Sequence, residues 1–230
     1  MLEVSGLKVS YGQSEVIHGV DFVARQNETL AIMGRNGMGK TTTFKTLIGI
    51  LKHTAGSIVL DGQELTGLPS HARVAAGLAY VPQGRMIFSH LTVLENIQAG
   101  LETATQRSRI PDEIFSMFPV LHEMRHRKGG NLSGGQQQQL AIARALVSEP
   151  KVLLLDEPTE GIQPSIIKEI AQTLNDIQKM RDITIVVSEQ ILSFTLDVAD
   201  RLMVIESGHM VHDVPREGCN AEQITAYLSV

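Results

Sequence analysis

One eight-residue stretch, GRNGMGKT at Gly34 to Thr41, limits what this chain can become more than any other feature. It fits G-x-x-x-x-G-K-[S/T] and lies between a short apolar run, TLAIM at 29–33, and a segment of helical spacing, TTTFKTLIGI. A strand, a glycine loop and a helix in that order make a cradle for phosphate. Gly34, Gly37 and Gly39 let the backbone curl until successive N–H groups point inward at anionic oxygens. The helix behind them turns its positive N-terminal end toward the same anion. Lys40 adds a mobile point charge for the β- and γ-phosphates of a nucleotide, and the Thr41 hydroxyl is placed to bind Mg²⁺. Asn36 in the loop and Thr42 just behind it are further candidate nucleotide contacts.

A triphosphatase also needs a carboxylate for the metal and a group that handles water. KVLLLDEP at 151–158 offers both, because a buried apolar strand ends in Asp156 and Glu157 follows it. Beside a phosphate loop, Asp156 can hold Mg²⁺ through water, which leaves Glu157 to orient or deprotonate the attacking water. Alone, DEP is an ordinary turn with solvated carboxylates; the upstream loop gives it meaning. The chain has no N-K-x-D guanine reader, so a GTPase is not indicated.

Around these motifs the pattern is α/β. VLLLD (152–156) follows the helix-like QQQLAIARALVSE, and ITIVV and LMVIESG are two more strands separated by the helical ILSFTLDVAD. SIIKEIAQTLNDIQKM (165–180) reads as an amphipathic helix capped by Ser165 after Pro164. LEVSGLKVSYG and SIVLDGQEL read as strands near the N-terminus. Alternating strands and helices predict a mostly parallel sheet with helices on its faces, and residues 84–150, which lack strand patterns, predict a helical insert.

Composition narrows the function classes. Net charge is −5, and the one basic cluster, Arg125 to Lys128, reads as a solvated face, so no nucleic-acid partner is expected. The single cysteine, Cys219, excludes an intramolecular disulfide and reads as a free surface thiol. No apolar run approaches the roughly 18 residues of a membrane span. The N-terminal MLEVSGLKVSYG does not have the basic-then-apolar form of a secretory signal.

LSGGQ at Leu132 to Gln136 adds a second loop–helix junction, where Ser133 can cap a helix and Gly134 and Gly135 allow close approach of a phosphate. With the phosphate loop, Gln83 in YVPQGR and the LLLDEP strand, it makes the chain resemble the ATP-binding subunits of ABC transporters over nearly its whole length. That resemblance implies a P-loop ABC ATPase core with an N-terminal antiparallel β-subdomain and a helical insert subdomain. Residues 1–230 would form one nucleotide-binding unit, with 1–83 and 151–230 as core and 84–150 as the insert. ATP and Mg²⁺ are the implied cofactors. Gln83 would touch Mg²⁺ and the attacking water, and Tyr11 would stack on adenine, although by itself it reads as a core or edge-strand aromatic. Leu132, Ser133, Gly134, Gly135 and Gln136 would face ATP held by a second ATP-binding subunit. Membrane permease subunits would dock on the insert at the cytoplasmic face of the membrane, with a solute-binding protein acting indirectly.

Two positions depart from the family pattern. The switch-histidine position holds Gln190, in SEQIL, and the loop after Glu157 carries Glu160-Gly161-Ile162-Gln163 in place of S-A-L-D. Glutamine can hydrogen-bond near a γ-phosphate but cannot carry the charge of a protonated histidine. Slower hydrolysis, or a weakly hydrolysing regulatory subunit, is therefore an alternative expectation. E-Q there and E-G after D-E-P-T are similar to the branched-chain amino acid branch. EPTEGIQPSII, SGGQQQQLAIARAL and YVPQGR resemble most the urea (short amide) branch and its second ATP-binding subunit.

HEMRH at 122–126 spells H-E-x-x-H, a zinc-peptidase helix. On one helix His122 and His126 would share a face, with Glu123 as base. In the extended peptidase pattern a third ligand would fall at 132, which is Leu132, and His209 and His212 lie far downstream near a Ser207–Gly208 turn. The match reads as a coincidence, two solvent-facing helix histidines beside a basic cluster.

Overall fold

The computed structural model describes residues 1–102 and 109–229; positions 103–108 of the expected insert lie outside the described residues. The chain opens with β1 (Leu2–Tyr11), β2 (Ser14–Ala24) and β3 (Thr29–Met33), then α1 (Lys40–Leu47), β4 (Ala55–Leu60), β5 (Gln63–Glu64), α2 (Ser70–Ala76) and β6 (Leu78–Val81). Helices α3 (Val93–Leu101), α4 (Asp112–Met117), α5 (Pro119–Glu123) and α6 (Gly134–Leu146) follow. The remainder is β7 (Val152–Asp156), α7 (Pro164–Arg181), β8 (Thr184–Glu189), α8 (Leu192–Val198), β9 (Arg201–Glu206), β10 (His209–Pro215) and α9 (Ala221–Leu228).

The strands form two sheets. One is antiparallel, in the order β2-β1-β4-β5; the other has the order β10-β9-β3-β8-β7-β6. In the second sheet β9, β3, β8, β7 and β6 run parallel, and β10 closes one edge antiparallel to β9. β3, β7 and β8 are buried along their full length, which explains why they read as continuous apolar runs rather than alternating ones. Their side chains still alternate between two cores. Leu30, Ile32, Leu154 and Val186 face the antiparallel sheet and α1, whereas Ala31, Met33, Leu153, Leu155, Ile185 and Val187 face the core built with α6, α7 and α8. One central sheet thus holds the β-subdomain on one face and most of the helices on the other, which is the expected P-loop ABC architecture.

Several local expectations are corrected. Helix α7 begins at Pro164 with Gln163 as N-cap, and no side-chain cap bond forms there. Proline's fixed φ and missing N–H suit the first helical position, so Ser165 falls inside the helix and does not cap it. SIVLDGQEL breaks at Asp61–Gly62 into β4 and a two-residue β5. The helix carrying His122 ends at Glu123, and His126 lies in the turn beyond it, so the two histidines do not share a helix face. Both are solvent-exposed. Cys219 is half-buried against the helical-side core, and burial pushes its thiol pKa up. Among the described residues no helix is long and apolar enough to cross a membrane.

Candidate functional site

Parallel pairing decides where the site lies. Met33 is level with Glu189, and Asp156 with Ser188, so β3, β7 and β8 end together and the segments that follow them emerge side by side. Ligand sites in open α/β sheets form at such carboxyl edges. The glycine loop leaves β3, and the Gly34 N–H donates to the Glu189 carbonyl at 3.3 Å. It is packed from behind. A Cβ on Gly34 would stand 2.5 Å from the Ile205 carbonyl oxygen, and one on Gly39 (φ +109) 2.6 Å from Ile17 Cδ1. Only glycine fits either place. The β9–β10 turn adds a further tie, because the Gly208 N–H donates to the Met38 carbonyl at 3.0 Å.

Lys40 opens α1 and is only 3% exposed. A buried ammonium needs partners, and its Nζ has them: the Gly34 carbonyl at 2.6 Å, the Arg35 carbonyl at 3.0 Å and Glu157 Oε1 at 3.0 Å. Asp156 is held at both oxygens. Oδ1 accepts from Ser188 Oγ at 2.6 Å and Thr41 Oγ1 at 3.2 Å, and Oδ2 accepts from the Tyr80 hydroxyl at 3.0 Å. Burial first, then the neighbouring Asp156 charge, push the Tyr80 phenol well above its ordinary pKa, so it is a donor at neutral pH.

Glu157 is buried and has a left-handed backbone (φ 47), a conformation costing about 1 kcal/mol or more for a residue with a Cβ. Its N–H donates to the Ser188 carbonyl at 3.1 Å and sits 3.2 Å from Ser188 Oγ, which fixes that turn. Its carboxylate accepts from Gln83 Nε2 and from Gln190 Nε2, each at 3.2 Å. Gln190 Nε2 also donates to Asn36 Oδ1 at 2.8 Å, joining the phosphate loop to the end of β8. Beneath it, buried Glu189 accepts from Thr159 N at 3.1 Å, Thr159 Oγ1 at 2.5 Å, Gln190 N at 2.9 Å and Ile191 N at 3.3 Å. Burial raises its pKa, and these bonds act in the opposite direction.

Asn36, Gly37, Gly39, Lys40, Thr41, Thr42, Gln83 and Glu157 line a single polar cleft. Gly34, Asp156 and Gln190 adjoin it through the bonds just described. Other candidates are elsewhere. Tyr11, at the end of β1, is 51% exposed and does not line the cleft. Nor do Leu132 to Gln136. Ser133 and Gln136 form a reciprocal cap on α6, Ser133 N donating to Gln136 Oε1 at 3.0 Å and Gln136 N to Ser133 Oγ at 3.3 Å. Leu132 is buried, and Gly135 packs so closely on Ile166 of α7 that a Cβ would overlap it. Sequence reasoning missed Tyr80, Ser188, Glu189 and Arg85. The last donates to the Glu160 carbonyl at 2.9 Å and so clasps the loop after Glu157. Proximity to Gln83 and Gln190 in sequence was the only available signal for any of the four.

A glycine cradle with a buried lysine, a carboxylate held by hydroxyls at a strand end and a second carboxylate among amides define a P-loop nucleoside triphosphatase. The family model described as ABC transporter matches residues 17–160, so this chain belongs to the ABC transporter family and is its nucleotide-binding, ATP-hydrolysing subunit. It is similar to the high-affinity branched-chain amino acid transport ATP-binding protein BraG of Pseudomonas aeruginosa, 39% identical over 216 residues, 93% of this chain and 92% of that protein. It is also similar to the lipopolysaccharide export system ATP-binding protein LptB of Haemophilus influenzae, 35% identical over 230 residues, 97% of this chain and 95% of that one. Among solved structures, cbiO1 from Clostridium perfringens, part of the ABC transporter complex cbiONQ, superposes with a TM-score of 0.83 at 28% identity, covering 97% of this chain and 92% of its own.

Proposed function

We propose that this chain powers an ABC importer for a small amide or amino-acid solute, with urea or a short amide as the specific cargo. The observation that carries the importer reading is the pair of departures at the site, Gln190 after Glu189 and Glu160-Gly161 after Thr159, together with 39% identity to BraG. YVPQGR and EPTEGIQPSII support the amide branch. The similarity to BraG favours a second reading, branched-chain amino acids. Residues 1–83 and 151–230 serve as the core and 84–150 as the subdomain that receives the permease. Met86 and Phe88, 68% and 50% exposed at its edge, suit a docking surface. The chain would then sit peripherally on the inner face of the membrane.

In this reading Lys40 and the loop N–H groups bind the triphosphate, and Tyr11 stacks on adenine. Thr41, Gln83 and Asp156 offer hard oxygen donors, and Thr41 Oγ1 and Asp156 Oδ1 already converge to 3.2 Å, which fits Mg²⁺. Bound there, the ion neutralises charge on the phosphate oxygens. Glu157, steadied by Gln83 and Gln190, orients water and takes its proton. Leu132 to Gln136 are not in the cleft, which supports a head-to-tail pair in which each Ser133 helix end completes the other chain's site. Glu157→Gln in the assembled complex should keep ATP binding and lose nearly all turnover; full turnover overturns the role. Uptake by vesicles carrying the complex, with urea and leucine as rival solutes, tests the cargo.

A further inference from the structure

We propose that Tyr80 is a positioning residue whose hydroxyl ties a surface groove to the Asp156 carboxylate. The groove, about 310 Å³, is bordered by Val74 of α2, Met86, Phe88, Gly100 of α3 and Arg144 of α6, and Tyr80 forms part of its wall. Its rim is built to hold shape. The Arg144 guanidinium lies 5.1 Å from the Phe88 ring centroid and donates to the Met86 carbonyl at 2.9 Å. It thereby secures Arg85 and Met86, two successive residues with left-handed backbones.

The other end of Tyr80 lies inside the catalytic sheet. Tyr80 is level with Leu154 across the β6–β7 pairing, and Asp156 is two residues further along, on the same face. The phenol therefore reaches past Leu154 and donates to Asp156 Oδ2 at 3.0 Å. Ser188 and Thr41 both act on Oδ1. Without the tyrosine hydroxyl the carboxylate is pinned at one oxygen and free to turn about it. With it, both oxygens are fixed, and an aromatic ring transmits displacement as a rigid body. A permease subunit seated in the groove, pressing on the ring, moves the hydroxyl and with it Oδ2. This inference rests on the proposed role of Asp156 as the metal carboxylate and on the proposed docking of the permease on residues 84–150.

The test is Tyr80→Phe in the full-length protein, which keeps the ring in the groove and removes only the hydroxyl. Mn²⁺ with ADP is the probe, followed by electron paramagnetic resonance. The expected result is Mn²⁺ affinity about tenfold weaker, with ADP affinity in EDTA unchanged. Wild-type Mn²⁺ affinity in Tyr80→Phe, alongside its loss in Asp156→Asn, overturns the inference and leaves the site reading standing. If Asp156→Asn also retains Mn²⁺, the metal assignment fails and takes the inference with it. The chain has three tyrosines, so uniform fluorotyrosine labelling gives three resonances that Tyr→Phe variants assign. The Tyr80 signal should move both when Mg²⁺-ADP is added and when the permease subunits assemble. A signal that answers to the nucleotide and ignores the permease overturns the link to the groove.

Discussion

Replacing Gln190 by alanine measures what its amide contributes beside Glu157. In the structure Glu157 has three side-chain partners: Lys40, Gln83 and Gln190. Gln190→Ala removes one of them, together with the 2.8 Å tie to Asn36. A hydrogen bond to a charged group is worth about 1.5–3 kcal/mol. Gln190 is half-exposed, and two donors remain, so the lower end applies. At about 1.4 kcal/mol per decade, turnover should fall about tenfold. Lys40 keeps its Gly34 and Arg35 carbonyl partners and Asn36 loses one side-chain tie, so KM for ATP should change by less than about threefold. The assay is steady-state ATPase of the assembled complex at saturating Mg²⁺-ATP. Gln190→Glu should be worse, since it sets a second carboxylate where the amide now donates to Glu157 at 3.2 Å. Turnover of Gln190→Ala within twofold of wild type would show that this amide does not hold Glu157 in the role proposed for it, and the reasoning would fail.

Glu189→Gln should destabilise the fold by about 2 kcal/mol, because four donors converge on two carboxylate oxygens and an amide offers one; chemical denaturation measures it. The same variant tests pH linkage. With a raised folded-state pKa, Glu189 binds more protons folded than unfolded between its two values, so wild-type stability should decline as pH rises through that window above 4.5 and the variant should lose that slope. Gly208→Ala, at φ +76 with a Cβ overlapping the Val16 carbonyl oxygen, should cost about 2 kcal/mol and lower the melting temperature by roughly 4–8 °C. It should also weaken ATP binding, since the Gly208 N–H holds the Met38 carbonyl; unchanged affinity would remove the turn from the site. Cys219, half-buried with a raised pKa, should react with iodoacetamide at pH 7.5 more slowly than a free thiol and accelerate past pH 9.

What the sequence determined by itself was everything written in a short local code. A glycine loop curls because of its own residues, so Gly34 to Thr41 declared itself in eight letters, as did the Ser133 cap of α6. β3 and β7, buried on both faces, were legible as unbroken apolar runs. β2 was harder to see, since its pairing with β1 shifts register near Gly19 and buried positions pass from Ile17 to Val20, out of step with alternation. HEMRH shows the opposite failure: four-residue spacing means a shared face only on a helix, and this helix stops at Glu123. Tertiary structure alone decided that Tyr80 and Ser188 meet Asp156, 76 and 32 residues away in the chain. It also decided that Gln190 bonds Glu157 while Tyr11 and Leu132 to Gln136 stay outside the cleft. The reason is that these meetings are set by the parallel register of β6, β7 and β8, a relation between strands that no one strand's residues encode.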